Sequence, residues 1–193
     1  MGEPTAAHGA TLWLTGLPGA GKTTVARALC ELLEGRQLHP VVLDGDDLRR
    51  GLNSDLCFSA SDRAENVRRV GEVALLFARA GHLCIAAIIS PYSADRDAVR
   101  KRHLASGVPF VEVYLSTPLS ICEERDIKGL YARARSGELP GFTGVSDPYE
   151  APLAPDLSLN TAGRTPLESA REVLYGLEHL ESGPLVSRLG ALS

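Results

Sequence analysis

The sequence predicts an α/β fold of three layers, with a parallel five-stranded sheet flanked by helices. Three observations predict it. Short apolar runs alternate with helical patterns along the chain. The run "LCIAAIIS" at 83–90 is apolar almost throughout, as a strand covered on both faces must be. Strands that alternate with helices pair in parallel, because each helix carries the chain back across a face of the sheet.

The elements follow in order. "TLWLT" (11–15) reads as the first buried strand, and Lys22 to Glu34 as a helix stopped by Gly35. "PVVLD" (40–44) is the second strand. Within 62–81, Val67, Val70, Ala74 and Phe77 recur at spacings of three and four, one apolar helix face that ends at Gly81. The third strand is 83–90, followed by a charged-faced helix from Ser93 to Ala105. "FVEVYLS" (110–116) is the fourth strand, and Thr117-Pro118 opens a short helix with threonine as N-cap and proline at N1. "DLSLNT" (156–161) is the fifth strand. Thr165 and Glu168 have capping-box spacing at the start of the last helix.

With 193 residues the chain suits one domain spanning 1–193, with a short N-terminal segment (1–10) and a tail (about 182–193). The stretch of about 127–155 breaks the alternation. It is rich in Lys, Arg, Gly and Pro and poor in core residues, which predicts a mobile lid.

Composition excludes several classes. A net charge of -4 without a long basic run gives nucleic acid no electrostatic footing. The longest apolar run is too short to span a bilayer, and the N-terminus lacks signal-peptide character. The expectation is a cytoplasmic protein with no membrane partner. The four cysteines form no C-x-x-C pair, so neither a zinc site nor a thioredoxin-type site is expected.

"GLPGAGKTT" (Gly16, Leu17, Pro18, Gly19, Ala20, Gly21, Lys22, Thr23, Thr24) matches G-x-x-x-x-G-K-[ST] between a strand and a helix. Its glycines let amides turn inward around phosphate oxygens, at a helix N-terminus that adds partial positive charge. Lys22 reaches the outer phosphates, and Thr23 offers a hydroxyl to Mg²⁺. The fold is therefore expected to be that of a P-loop NTPase. The absence of an N-K-x-D-type guanine signature, the short chain and the lid-like insertion favour a small-molecule kinase.

A second constellation follows the second strand. Asp44 and Asp46 flank Gly45 at a strand's carboxyl end, where carboxylates hold a metal shell or orient an attacking hydroxyl. Arg49, Arg63 and Arg68, with Phe58 and Asn66 among them, suit an anionic nucleotide, because guanidinium groups bind phosphate oxygens and a ring stacks on a base.

Here the chain resembles the adenylyl-sulfate kinase (APS kinase) family. The matching text includes "GLPGAGKTT", "LDGDDLRRGLNSDL", "ENVRRVGEVA", "ISPY", "KGLY", "GFTG" and "PYEAP", in the family's order over about 11–161. The resemblance implies transfer of the γ-phosphoryl of ATP to the 3′-hydroxyl of adenosine 5′-phosphosulfate (APS), giving PAPS and ADP, with Mg²⁺ and a homodimer. It implies that Gly16 to Thr24 bind ATP phosphates and that Thr23 and Asp44 form the magnesium side. Asp46 orients the 3′-hydroxyl, while Arg49, Arg63 and Asn66 hold the acceptor. Phe58 and Phe142 of "GFTG" sandwich its adenine, with Thr143 and Leu130 alongside. Arg125 and Lys128 serve as charged lid residues, Arg125 on the ATP side and Lys128 against the transferring phosphoryl group. Ile89, Ser90, Pro91 and Tyr92 form the acceptor edge. The resemblance also implies a phosphoserine role for Ser90. In-line transfer needs no covalent relay, so a hydrogen bond or turn contact is the preferred reading.

Departures from the family's text are Pro18, Ala20 and Thr23 in the loop, Asp47 in place of asparagine, and Cys57 in place of glycine. Two other functions stay open at this level: a P-loop kinase for another small anionic acceptor, and a non-catalytic nucleotide-binding regulator.

Overall fold

The computed structural model describes residues 9–180. Most of the expected N-terminal segment and the tail lie outside that range. The described chain folds around one sheet of order β2-β3-β1-β4-β5, in which every pairing is parallel. The strands are β1 (Ala10–Gly16), β2 (Val41–Asp44), β3 (Leu83–Ala87), β4 (Phe110–Leu115) and β5 (Leu157–Leu159). The helices are α1 (Lys22–Glu34), α2 (Gly45–Arg49), α3 (Ala60–Arg79), α4 (Ser93–Ala105), α5 (Leu119–Arg125), α6 (Leu130–Arg135) and α7 (Pro166–His179).

The period-two alternation of β1 divides the core. Leu12 and Leu14 pack with α1 and α7 on one face, while Trp13 packs with α3 and α4 on the other. On that second face α3 and α4 meet at Gly71, where a β-carbon would stand 2.7 Å from Val99 Cγ2. Only glycine allows that approach.

Because β1 lies between β3 and β4, its carboxyl end opens where the strand order reverses. Ligands bind there in open parallel sheets.

Three expectations need correction. β3 stops at Ala87, because the chain turns out of the sheet and Ser90 adopts a φ of 42°. Thr117 does not cap α5. Pro118 is the N-cap, without a side-chain cap bond, and the Thr117 hydroxyl turns to the P-loop instead. The 127–155 stretch is less detached from the core than its composition predicts. Tyr131 is buried in the main core, and Phe142 and Val145 pack against it. The capping box of α7 forms in both halves.

His103 on α4 is wholly buried. Its Nδ1 lies 2.9 Å from the Val99 carbonyl and must donate, so Nε2 accepts from the Thr11 hydroxyl at 3.0 Å. This pairing suits the neutral ring, and burial pushes the imidazole below its ordinary range. The unfolded chain therefore binds the proton first as pH falls. Stability is full above about pH 6.5 and declines as pH drops below it, until the folded-state ring also titrates. Thermal melts of His103→Gln are expected to show a flatter profile between pH 7 and 5 than those of the parent chain. Parallel profiles would exclude His103 as the source.

Candidate active site

The P-loop runs from the end of β1 into α1. Gly21, the residue before α1, has a φ of 97°, a conformation that favours glycine. Lys22 Nζ donates to the carbonyls of Gly16 at 3.0 Å and Leu17 at 2.8 Å, so the cation is held over its own loop. Burial lowers its pKa to about 8, against the pull of the neighbouring Asp46 and Asp44 carboxylates. Thr24, two residues on, is exposed. The Pro18 carbonyl accepts from Tyr131 Oη at 2.8 Å, which ties the loop to α6.

Asp44 ends β2 and caps α2. Its Oδ1 accepts the Asp46 amide at 2.9 Å, and its Oδ2 accepts the Thr23 hydroxyl at 2.6 Å. This cap explains α2, a helix that the sequence reading passed over. Thr23 and Asp44 thus bring two hard oxygen donors together, and the hydroxyl, having given its proton to Asp44, still has lone pairs to offer. This donor set fits Mg²⁺, which takes one or two protein ligands and fills its shell with phosphate and water.

Asp46 projects from the first turn of α2 and pairs with Lys128 of the lid segment. Both side chains are more than half exposed, at 65% and 57%. The pair therefore contributes little to stability, and its effect is to place a carboxylate and an ammonium at the loop's open side.

Beyond Asp46 lie the arginines. Arg49 donates from Nη1 to the carbonyls of Leu56 and Cys57, both at 3.2 Å, and its guanidinium stands 4.4 Å over the Phe58 ring. Burial lowers the Arg49 pKa, and the charge of Arg63 lowers it further. Arg63 stands 6.0 Å from the same ring and faces the Asp147 carboxylate at 3.4 Å, so Arg49 is the arginine of the two better placed for an anionic ligand. Arg63, buried on α3, is committed to the protein. Its Nε donates to the Phe58 carbonyl at 2.9 Å, and its Nη atoms donate to Thr143 Oγ1 and the Gly141 carbonyl. It thus fastens the segments that carry Phe58 and Phe142. Phe58 is 58% exposed, whereas Phe142 lies edge-on against Tyr131 with centroids 5.0 Å apart. Asn66 Oδ1 accepts from Asn53 Nδ2 at 3.0 Å, which leaves the Asn66 amide nitrogen as a donor. Leu130 begins α6, half-buried.

Other expected residues sit elsewhere. Arg68 pairs with Glu65 on the exposed side of α3, away from this cluster. Ser90 is 2% exposed. Its hydroxyl accepts from Trp13 Nε1 at 3.1 Å and donates to Thr15 Oγ1 at 2.9 Å. That is the turn contact, not a hydroxyl open to phosphoryl transfer. Ile89 accepts from Thr15 through its carbonyl, Pro91 accepts from the Glu150 amide, and Tyr92 precedes α4. Arg125 lies on the other side of the P-loop, bonded to Thr161 and to the Gly19 carbonyl. Asp47 turns to Arg50, which offsets its charge, and Cys57 is exposed.

Two residues were missed. Asn53, fully buried, orients Asn66, and its own Oδ1 has no partner among the described residues. Arg96, 2% exposed, grips Glu112 at 2.8 Å and the carbonyls of Ser90 and Glu150, both at 2.7 Å. Asn53 lies within a quoted motif and Arg96 four residues past another, but only tertiary contacts reveal what they hold.

A P-loop at the switch point, an oxygen pair for a metal, and a carboxylate paired with a lysine beside Arg49 define a small-molecule kinase of the P-loop class. The adenylylsulphate kinase family model matches residues 8–160. The chain belongs to that family. It is 54% identical over 89% of its length to adenylyl-sulfate kinase 1, chloroplastic, of Arabidopsis thaliana, and spans 62% of that protein. It is 51% identical over 87% of its length to the adenylyl-sulfate kinase of Lactiplantibacillus plantarum, covering 81% of that one. Its fold matches the Mycobacterium tuberculosis APS kinase CysC, solved in complex with AMPPNP and APS, with a TM-score of 0.85 at 49% identity. That match covers 89% of this chain and 98% of the other. No helix among the described residues is long and apolar enough to cross a membrane.

Proposed function

We propose that the chain transfers the γ-phosphoryl of ATP to the 3′-hydroxyl of APS, forming PAPS and ADP. One observation carries this reading. Asp46, beside Asp44 at the end of β2, acts electrostatically on both Lys22 of the phosphate cradle and Arg49 beyond it, so a carboxylate lies within reach of both the polyphosphate and an anionic acceptor.

In this reading the loop amides and Lys22 hold the polyphosphate. Thr23 and Asp44 would hold Mg²⁺, which would supply charge neutralisation to the polyphosphate. Asp46 accepts a hydrogen bond from the 3′-hydroxyl and aims its oxygen at the γ-phosphorus. Arg49 and Asn66 hold the anionic nucleotide, Phe58 and Phe142 face its base, and Arg63 frames their positions. Lys128 screens the transferring group, and the 127–155 segment acts as a lid that keeps water from competing. The homodimer belongs to the same proposal, and light scattering in solution checks it.

The direct test incubates the chain with Mg-ATP and APS and seeks PAPS by mass. PAPS and ADP are expected in equal amounts. ATP binding without PAPS would discard the acceptor assignment and return the question to another acceptor or to a regulatory nucleotide binder.

A further inference from the structure

Behind the P-loop, on the side away from Asp46, lies a polar cluster that the phosphoryl-transfer reading leaves unused. Thr117 follows β4 and Thr161 follows β5, and the two are 3% and 4% exposed. Their hydroxyls are 2.8 Å apart, and both approach the Ala20 carbonyl, Thr161 at 3.0 Å and Thr117 at 3.3 Å. The shorter contact gives the Ala20 bond to Thr161, and the other hydrogens follow from it. Thr161 Oγ1 donates to Ala20, and Thr117 Oγ1 donates to Thr161 Oγ1. The Thr161 amide donates to Thr117 Oγ1 at 3.2 Å, and Arg125 Nη1 donates to Thr161 Oγ1 at 2.8 Å. Each hydroxyl spends its one proton, and Thr161 Oγ1 uses both lone pairs.

The peptide plane gives this cluster its consequence. In a trans peptide the C=O and the following N–H point in opposite directions. A carbonyl drawn toward the threonines therefore turns the Gly21 N–H the other way, into the concave side of the loop. That amide makes no hydrogen bond within the described chain. Thr161 also backs Gly21 itself, since a β-carbon there would stand 3.4 Å from Thr161 Oγ1.

We propose that Thr117 and Thr161 are positioning residues for the phosphate cradle, holding the Ala20–Gly21 peptide so that its amide faces the polyphosphate. This rests on the reading of the loop as an ATP site, not on the identity of the acceptor. Buried threonines with saturated partners make the orientation part of the fold, so binding need not supply it.

The test compares Thr161→Val, Thr161→Ser and Thr117→Val in the whole chain. Valine keeps the shape and removes the hydroxyl. Each protein competes against a fluorescent ATP analogue with magnesium tripolyphosphate, which has no base, and with adenosine, which has no phosphate. Thr161→Val is expected to weaken tripolyphosphate about tenfold, the effect of one good hydrogen bond, and to leave adenosine unchanged. Thr161→Ser is expected to retain parent affinity, and Thr117→Val to show the same pattern in smaller measure. Adenosine weakened with tripolyphosphate unchanged would make Thr161 a base contact and overturn the proposal. A lower melting temperature with both affinities unchanged would overturn it as well, since the pair would then serve only packing. ATP binding without PAPS in the parent would discard the proposed reaction and leave this comparison intact.

Discussion

Asp46→Asn is expected to lower kcat by about 10²- to 10⁴-fold, the range associated with a positioned general base. Asparagine preserves size and can still meet the acceptor hydroxyl, but it cannot draw the proton or carry the charge that Lys128 answers. The backbone cap at this point comes from Asp44, whose Oδ1 accepts the Asp46 amide, so α2 survives the change. The Asp46–Lys128 pair is exposed, so stability is expected to change little. The loss should fall on kcat, with the KM of ATP near the parent value. Single-turnover rates with Mg-ATP and APS check this. A kcat within tenfold of the parent would remove Asp46 from the chemistry.

Lys22→Met should act through the other substrate. Lys22 is the cation centred on the cradle, held by the Gly16 and Leu17 carbonyls. Electrostatic stabilisation of developing charge is worth about 10²- to 10³-fold per donor in a preorganised site. Methionine keeps the aliphatic stem and forfeits that charge, so kcat/KM for ATP is expected to fall by at least that range. It also relieves the desolvation that lowers the Lys22 pKa to about 8, so the variant should melt at or above the parent temperature. Loss of activity with an unchanged or raised melting temperature would assign the effect to chemistry. A drop in both would assign it to folding.

The fold was legible where pattern and local chemistry agree. α1 and α4 have their expected limits, since the first begins at the phosphate loop and the second carries a charged face over an apolar stripe. The capping box placed α7 because two side chains and two amides, all local, decide it. The misses have tertiary causes. Thr117 looked like an N-cap because Thr-Pro is a local signal, but its hydroxyl turned to a buried partner, Thr161 Oγ1, beside the P-loop. β3 was read too long because its apolar run continues past Ala87, where the backbone leaves the sheet to reach Ser90. In the candidate site, motif text pointed to the loop, the two aspartates and Arg49, and the fold gathers them at one sheet edge. It could not reveal that Arg63 is spent on Phe58, Gly141 and Thr143, nor that Asn53 orients Asn66.

The segment over the site is fixed at three places. Tyr131 holds the Pro18 carbonyl, Gly141 and Thr143 hold Arg63, and the Glu150 carbonyl holds Arg96. It is therefore riveted, and its freedom lies between the rivets. The span 132–140 is mostly exposed, and a side chain at Gly137 would meet nothing within 4 Å. For a protein engineer this is the place to graft a loop, a tag or a spectroscopic label. A graft there changes the roof of the site without loosening the posts on which it stands.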